Sequence, residues 1–419
     1  MNPRWADWPV PLLVMILGTA ACSQGSSSSV AAVAERVVVS PAGNWYEPHV
    51  SIGPRADGTL LLAAMDEPRP HGNIRGWTST DGGLRWKATA TPFDSVAGRT
   101  VALSGDPVTA VAPDGTLIVA GLLVGGEPPV SIVAVARSVD SGASFETVVI
   151  DETLPAASRD QPGPEPDTLD KPWLAVDATG VVYASWSRRN AGSWDLYVAR
   201  SEDVGKSFTP GQIFDRGSEH PHFIQLSGSG PLDMVWVHND ELRFARTDGA
   251  DAPTTIARAS AGHRWRMPST ASNEAGLDVC WSDTAPGTEA RVLCSNSSDR
   301  ETWSAATEVS TGAEALPALA ARMGTTWMAS VKVSGDSAVV LRTPDDRWSR
   351  SQPLSTWSGV TVCVADCDGP SSAGDSKARR IGDYQAMVPT SQGLLVATVD
   401  PSGGTSQVVA LLVTLRGAE

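Results

Sequence analysis

An octapeptide recurs three times, and no other feature restricts the fold as much. It reads Ser79-Thr80-Asp81-Gly82-Gly83-Leu84-Arg85-Trp86, then Ser138-Val139-Asp140-Ser141-Gly142-Ala143-Ser144-Phe145, then Ser201-Glu202-Asp203-Val204-Gly205-Lys206-Ser207-Phe208. All three fit Ser-x-Asp-x-Gly-x-x-aromatic. Such self-similarity marks stacked structural units. The Asp carboxylate can accept backbone N–H bonds in a tight turn, and the Gly can take positive φ. The aromatic can then pack under the turn. Weaker copies stand at Thr247-Asp248-Gly249, at Ser297-Ser298-Asp299 with Trp303, and at Thr343-Pro344-Asp345 with Trp348.

A second repeat opens each unit. Compare Glu47-Pro48-His49, Asp106-Pro107-Val108, Lys171-Pro172-Trp173, His220-Pro221-His222, Met267-Pro268, Leu316-Pro317 and Asp383-Tyr384-Gln385. A Gly turn and an alternating strand follow, as in Gly180-Val181-Val182-Tyr183-Ala184. Period-two alternation with Gly turns predicts antiparallel strands, with each Pro at a strand's first residue. The starts lie roughly 47 to 67 residues apart, which suits a four-stranded blade. The expected fold is therefore all-β, a seven-bladed β-propeller, with six blades as the alternative if two units merge. The last unit shows three strands (384–388, 394–399 and 407–414). Residues 36–40 are expected to supply its fourth and close the ring.

The octapeptide resembles the Asp box of sialidases and related propellers. The resemblance implies that Asp81, Asp140, Asp203 and Asp299 are structural and lie away from the ligand face. The first unit, Trp45-Tyr46-Glu47-Pro48 followed by Asp57-Gly58-Thr59-Leu60-Leu61, is similar to the start of a sialidase domain. The family places there one of three arginines that grip the substrate carboxylate. This chain has Tyr46 in its place, and a phenol cannot replace a bidentate guanidinium. Tyr384 opens a segment resembling the one that carries the family's nucleophilic tyrosine. The resemblance makes Tyr384 the candidate nucleophile, Asp383 or Glu219 its activator, and Asp66 the nearest match to the family's acid.

In a propeller, ligands sit where the innermost strands begin. That rim is expected to carry Glu47, Asp106, Asp170, Lys171, Glu219, His220, Asp383 and Tyr384, with Arg380 in an insertion that reaches over it. Converging carboxylates suit sugar hydroxyls or Ca²⁺, and they raise one another's pKa. Beyond such a Ca²⁺, no cofactor is indicated.

The N-terminus reads as a targeting segment. Arg4, the apolar stretch Val10 to Leu17, and Thr19-Ala20-Ala21-Cys22 resemble a lipobox. The resemblance implies a signal peptide over 1–21, lipidation of Cys22, a Ser-rich tether over 22–35 and a propeller over 36–419. A monomer anchored in a bacterial cell envelope, at the outer membrane or cell surface, follows. The remaining four cysteines are even in number, as an oxidising compartment favours. Cys280 and Cys294 lie in consecutive strands and suit a cross-strand disulfide. Cys363 and Cys367 suit a pair of their own.

The formal net charge of −15 disfavours nucleic acid as a partner. Three functions remain. The first is binding of a glycan or protein at the rim. The second is an exo-glycosidase, exo-α-sialidase-like, with a Tyr nucleophile. The third is a lyase using rim carboxylates with a cation.

Overall fold

The computed structural model describes residues 32–55, 58–66, 72–127, 129–153, 167–228, 230–248, 252–285, 287–310, 312–333, 336–342, 348, 351–358, 360, 362–363 and 379–415. Cys22 and Cys367 lie outside these residues, as do the side chains of Cys363 and Arg380.

The described residues contain strands and no helix. They form seven antiparallel blades, each built on four strands in meander order. The inner strands are Trp45–Ile52, Arg99–Val111, Thr168–Val176, Ile224–Ser227, Arg264–Asn273, Glu314–Arg322 and Ala386–Thr390. Each packs against the next, and the seventh returns to the first. The fold is the seven-bladed propeller that the repeat predicts. Blades are numbered here in that order.

The ring closes with a strand from the N-terminus. Ala32–Val38 pairs antiparallel with Gln407–Leu415, with Arg36 opposite Leu411. The strand thus begins before residue 36 and ends at Val38. Val39 and Ser40 turn away and donate instead to the carbonyl of Val408. Arg36 Nε donates to Asp400 Oδ2 at 2.8 Å and fastens the closing strand to blade 7.

One expectation is corrected. The repeated prolines do not begin the inner strands. In blades 1, 2, 3, 5 and 6 they lie within the strands, where the register slips between Tyr46 and His49, Gly105 and Val108, Asp170 and Trp173, Arg266 and Ser269, and Ala315 and Ala318. A bulge tolerates Pro because its missing N–H is not needed there. The residue before each Pro is Glu47, Asp106, Lys171, Met267 or Leu316, with φ of 50–53°. Each such position costs about 1–3 kcal/mol of local strain. Met267 and Leu316 share it without a charge, so the bulge belongs to the architecture. Blades 1 to 3 use the same bulge to carry a charged side chain.

The three octapeptides form one turn. Ser79 Oγ donates to Asp81 Oδ1 at 2.9 Å and accepts from Gly83 N at 3.0 Å, while Arg85 N donates to Asp81 Oδ1 at 2.9 Å. The set recurs at Ser138, Asp140, Gly142 and Ser144, and at Ser201, Asp203, Gly205 and Ser207. Gly83, Gly142 and Gly205 have φ of 94°, 84° and 82°, which explains the fixed glycine. Asp299 makes a shorter variant, accepting from Glu301 N and Thr302 N.

The chain has 15 Trp against 6 Phe, and the excess has a packing reason. Second strands carry Trp186, Trp236, Trp281 and Trp327 in blades 3 to 6, all buried. Two of them tie blades together. Trp186 Nε1 donates to Asp151 on the outer strand of blade 2 at 2.7 Å, and Trp236 Nε1 donates to Asp215 on the outer strand of blade 3 at 2.8 Å. Cys280 and Cys294 face each other across the second and third strands of blade 5 and form a disulfide.

Candidate functional site

Two cavities meet near the bulges of the inner strands, and the central one continues along those strands to their far ends. A central one of about 610 Å³ is lined from all seven blades, including His49, Thr109, Trp173, Gln225, Ser269 and Gln385. A second, of about 1030 Å³, lies over blades 3 to 5 and is lined by Asp170, Glu219, His220, Asp240, Arg264 and Arg266 among others. Lys171, Phe223 and Asp383 line both.

Lys171 sits at this junction. Its Nζ lies 2.7 Å from Asp383 Oδ2 of blade 7 and 3.7 Å from Asp106 Oδ2 of blade 2. The ammonium stands 5.5 Å from the Phe223 ring centroid and 5.9 Å from that of Tyr384. Burial alone would strip its proton, but the nearby carboxylates, Asp106 first and then Asp383 and Asp170, hold its pKa well above the usual lysine value. It therefore stays a cation, and it occupies the centre of the carboxylates that the sequence offered to Ca²⁺. A second cation there would be repelled by the ammonium.

Asp170 is pushed up to about 6, first by burial and then by Asp106 and Asp383, against the pull of Lys171. Its Oδ1 accepts from Lys171 N at 2.8 Å. The Tyr384 phenol is pushed well above 10, first by burial, then by Asp106, Glu47 and Asp383, with Lys171 opposing. Its hydroxyl is buried and has no hydrogen-bond partner among the described residues. In this environment it is a neutral donor. Glu47 is buried against Gly382, whose φ is 92° and where a Cβ would lie 2.3 Å from Glu47 Cγ.

The structure brings together Glu47, Asp106, Asp170, Lys171, Asp383 and Tyr384. Glu219 and His220 are exposed on the wall of the larger cavity. Asp66 ends the second strand of blade 1, opposite Trp45, and lines neither cavity. Burial raises its pKa, opposed by Arg75.

Several site residues escaped the sequence reading. Trp173 meets Tyr384 edge-on at 5.9 Å and His49 at 5.3 Å. His49 Nδ1 accepts from Thr109 N at 3.1 Å, and burial lowers its pKa to about 4, so it is neutral. Arg266 stands 5.7 Å from the Phe223 ring centroid. His49 and Trp173 follow the repeated prolines directly, which was the available signal.

No family model and no curated protein matches the chain by sequence. Solved structures do. An α-L-arabinofuranosidase from Fusarium graminearum superposes with a TM-score of 0.53 at 14% identity, covering 91% of this chain and 97% of that one. A polysaccharide lyase, an ulvan lyase bound to a glucuronate–rhamnose sulfate unit, superposes with a TM-score of 0.54 at 10% identity, covering 92% and 98%. A Hadza microbial sialidase gives 0.45 at 14%, covering 89% and 66%. The fold is shared with the arabinofuranosidase and the lyase, each superposing at a TM-score above 0.5. At these identities the likeness is one of fold.

Proposed function

We propose that this chain is an exported, lipid-anchored propeller that binds a glycan where its inner strands begin. One observation carries the reading. Carboxylates from blades 1, 2, 3 and 7 converge with a held ammonium and a phenol beside the aromatic rings of Trp173, Phe223 and Tyr384. Carboxylates accept hydrogen bonds from sugar hydroxyls, and aromatic rings cover the apolar faces of sugar rings. The structural neighbours act on glycans by different chemistries, so the glycan is what they share.

A second reading is favoured by one group. Asp170, raised to about 6, has the pKa of a general acid at neutral pH. The chain would then be a glycoside hydrolase, exo-α-sialidase-like or otherwise, with Tyr384 as the other reacting group.

The test is titration of the full chain, in detergent, against arabino-, sialo- and uronate-oligosaccharides, beside a fluorogenic glycoside panel. Saturable binding without turnover, weakened in Lys171→Met, supports the binding reading. Turnover lost in both Asp170→Asn and Tyr384→Phe replaces it with the hydrolase. Absence of binding and turnover across the panel and a glycan array overturns both.

A further inference from the structure

Blades 2 and 3 are joined by Trp186 on Asp151, and blades 3 and 4 by Trp236 on Asp215. The two joints differ at one position. Two residues after Trp186 stands Arg188, whose Nη1 donates to Asp151 at 2.6 Å. Two residues after Trp236 stands His238, whose Nδ1 lies 2.9 Å from Asp215 Oδ2. An imidazole replaces the guanidinium. It is not needed to neutralise Asp215, because Arg243 already donates to both carboxylate oxygens at 2.9–3.0 Å.

A second imidazole joins it. His222 is fully buried. Its backbone N donates to Ser187 Oγ at 2.7 Å, and its Nδ1 lies 3.2 Å from the same oxygen. Its Nε2 is buried with no hydrogen-bond partner among the described residues. One ligating atom from each of Asp215, His222 and His238 lies within 4.8 Å of the other two.

We propose that Asp215, His222 and His238 form a binding site for a divalent transition metal of the zinc type. Two imidazoles and one carboxylate are borderline N and O donors, which suit Zn²⁺ or Co²⁺ and not the all-oxygen preference of Ca²⁺ or Mg²⁺. With Nδ1–H donating to Ser187, His222 Nε2 carries the lone pair a metal needs, and the serine fixes the ring. The guanidinium of Arg243 opposes a cation, but it also bonds Glu241 at 2.7 Å, which offsets part of its charge. Three protein ligands of this kind leave water as the fourth ligand of a tetrahedral zinc. It lies under one wall of the larger cavity, because Glu219 and His220 precede His222, and Asn239 and Asp240 follow His238. A bound metal would tie the connection between blades 3 and 4 to blade 4. This inference stands apart from the glycan reading.

The test uses the full chain, without a histidine tag, stripped by chelator and titrated with Co²⁺ and Zn²⁺. We expect one equivalent of metal, visible Co²⁺ bands displaced by Zn²⁺, and a higher melting temperature with Zn²⁺. His222→Gln and His238→Gln should each weaken binding about tenfold or more. X-ray absorption of the zinc-loaded wild-type chain, which needs no variant, should show imidazole scattering from two rings. Lack of stoichiometric binding, a thiolate-to-cobalt band placing the metal on Cys363 and Cys367, or a zinc shell without imidazole overturns the proposal.

Discussion

Lys171 Nζ lies 2.7 Å from Asp383 Oδ2, joining blade 3 to blade 7 across the mouth of the channel, over a sequence separation of 212 residues. Both side chains are nearly buried, at 14% and 12% exposure. Removing one partner of such a pair strands the other charge. Lys171→Met should therefore cost on the order of 3 kcal/mol at pH 8. It should cost less at pH 5, where the neighbouring Asp170 carboxyl, pushed up to about 6, takes up a proton. Urea unfolding at the two pH values measures the difference.

Asp170 gives a pH dependence of the opposite sign from an ordinary surface carboxylate. Its folded pKa of about 6 lies above the unfolded value near 4, so the folded state holds the proton more tightly between them. Its contribution to stability therefore falls as pH rises from about 4 to about 6. Asp170→Asn, which keeps the acceptor for Lys171 N, should be more stable than wild type at pH 7 and nearly equal at pH 4. Equal stability at both pH values would show that the carboxyl is not perturbed.

The octapeptide turns depend on their serines. Ser201 is buried, and its Oγ takes the Gly205 N–H at 2.8 Å. Ser201→Ala leaves that N–H unpaired and should cost about 1–3 kcal/mol, read as a lower urea midpoint with an unchanged slope.

Hydrogen bonds from the Ser144 and Ser207 hydroxyls and amides hold Asp140 and Asp203 down to about 2. Depressed carboxylate pKa values stabilise above the unfolded value near 4, and that stability is lost as pH falls through about 2. Acid unfolding of the wild type should begin in this window and shift upward in Ser144→Ala.

The closing strand protects an edge. Deleting residues 1–39 would expose Gln407–Leu415, whose central residues are almost all apolar. Open edges of this kind recruit other chains. The truncated protein should melt earlier and self-associate in light scattering, whereas cleavage before Cys22 should do neither. Arg36→Ala, which removes only the link to Asp400, should have the smaller effect.

Much of the architecture was legible because it is locally encoded and repeated. Each Asp-containing turn is written within eight residues, and its carboxylate and glycine have one physical use. The seven repeated strand starts set the blade number. The apolar segment before the first unit supplied the closing strand, and two cysteines in consecutive strands supplied the disulfide. The prolines were visible, but their place inside a bulge was not. A one-residue slip in register depends on how two strands pair, which no single strand records.

The rim could be named from the starts of the units, but its chemistry could not. The sequence determined that Glu47, Asp106, Lys171 and Asp383 stand at equivalent places in their blades, with Asp170 and Tyr384 next to them in the chain. Only the tertiary structure placed the Lys171 ammonium among those carboxylates, so that an apparent cation site already holds a cation of the chain's own. Only it set Asp215 beside one imidazole from the next blade and one from the connection leading to it. The reason is the same in both cases. Blades repeat along the chain, whereas charges and ligands meet across blades, where distance in space no longer follows distance in sequence.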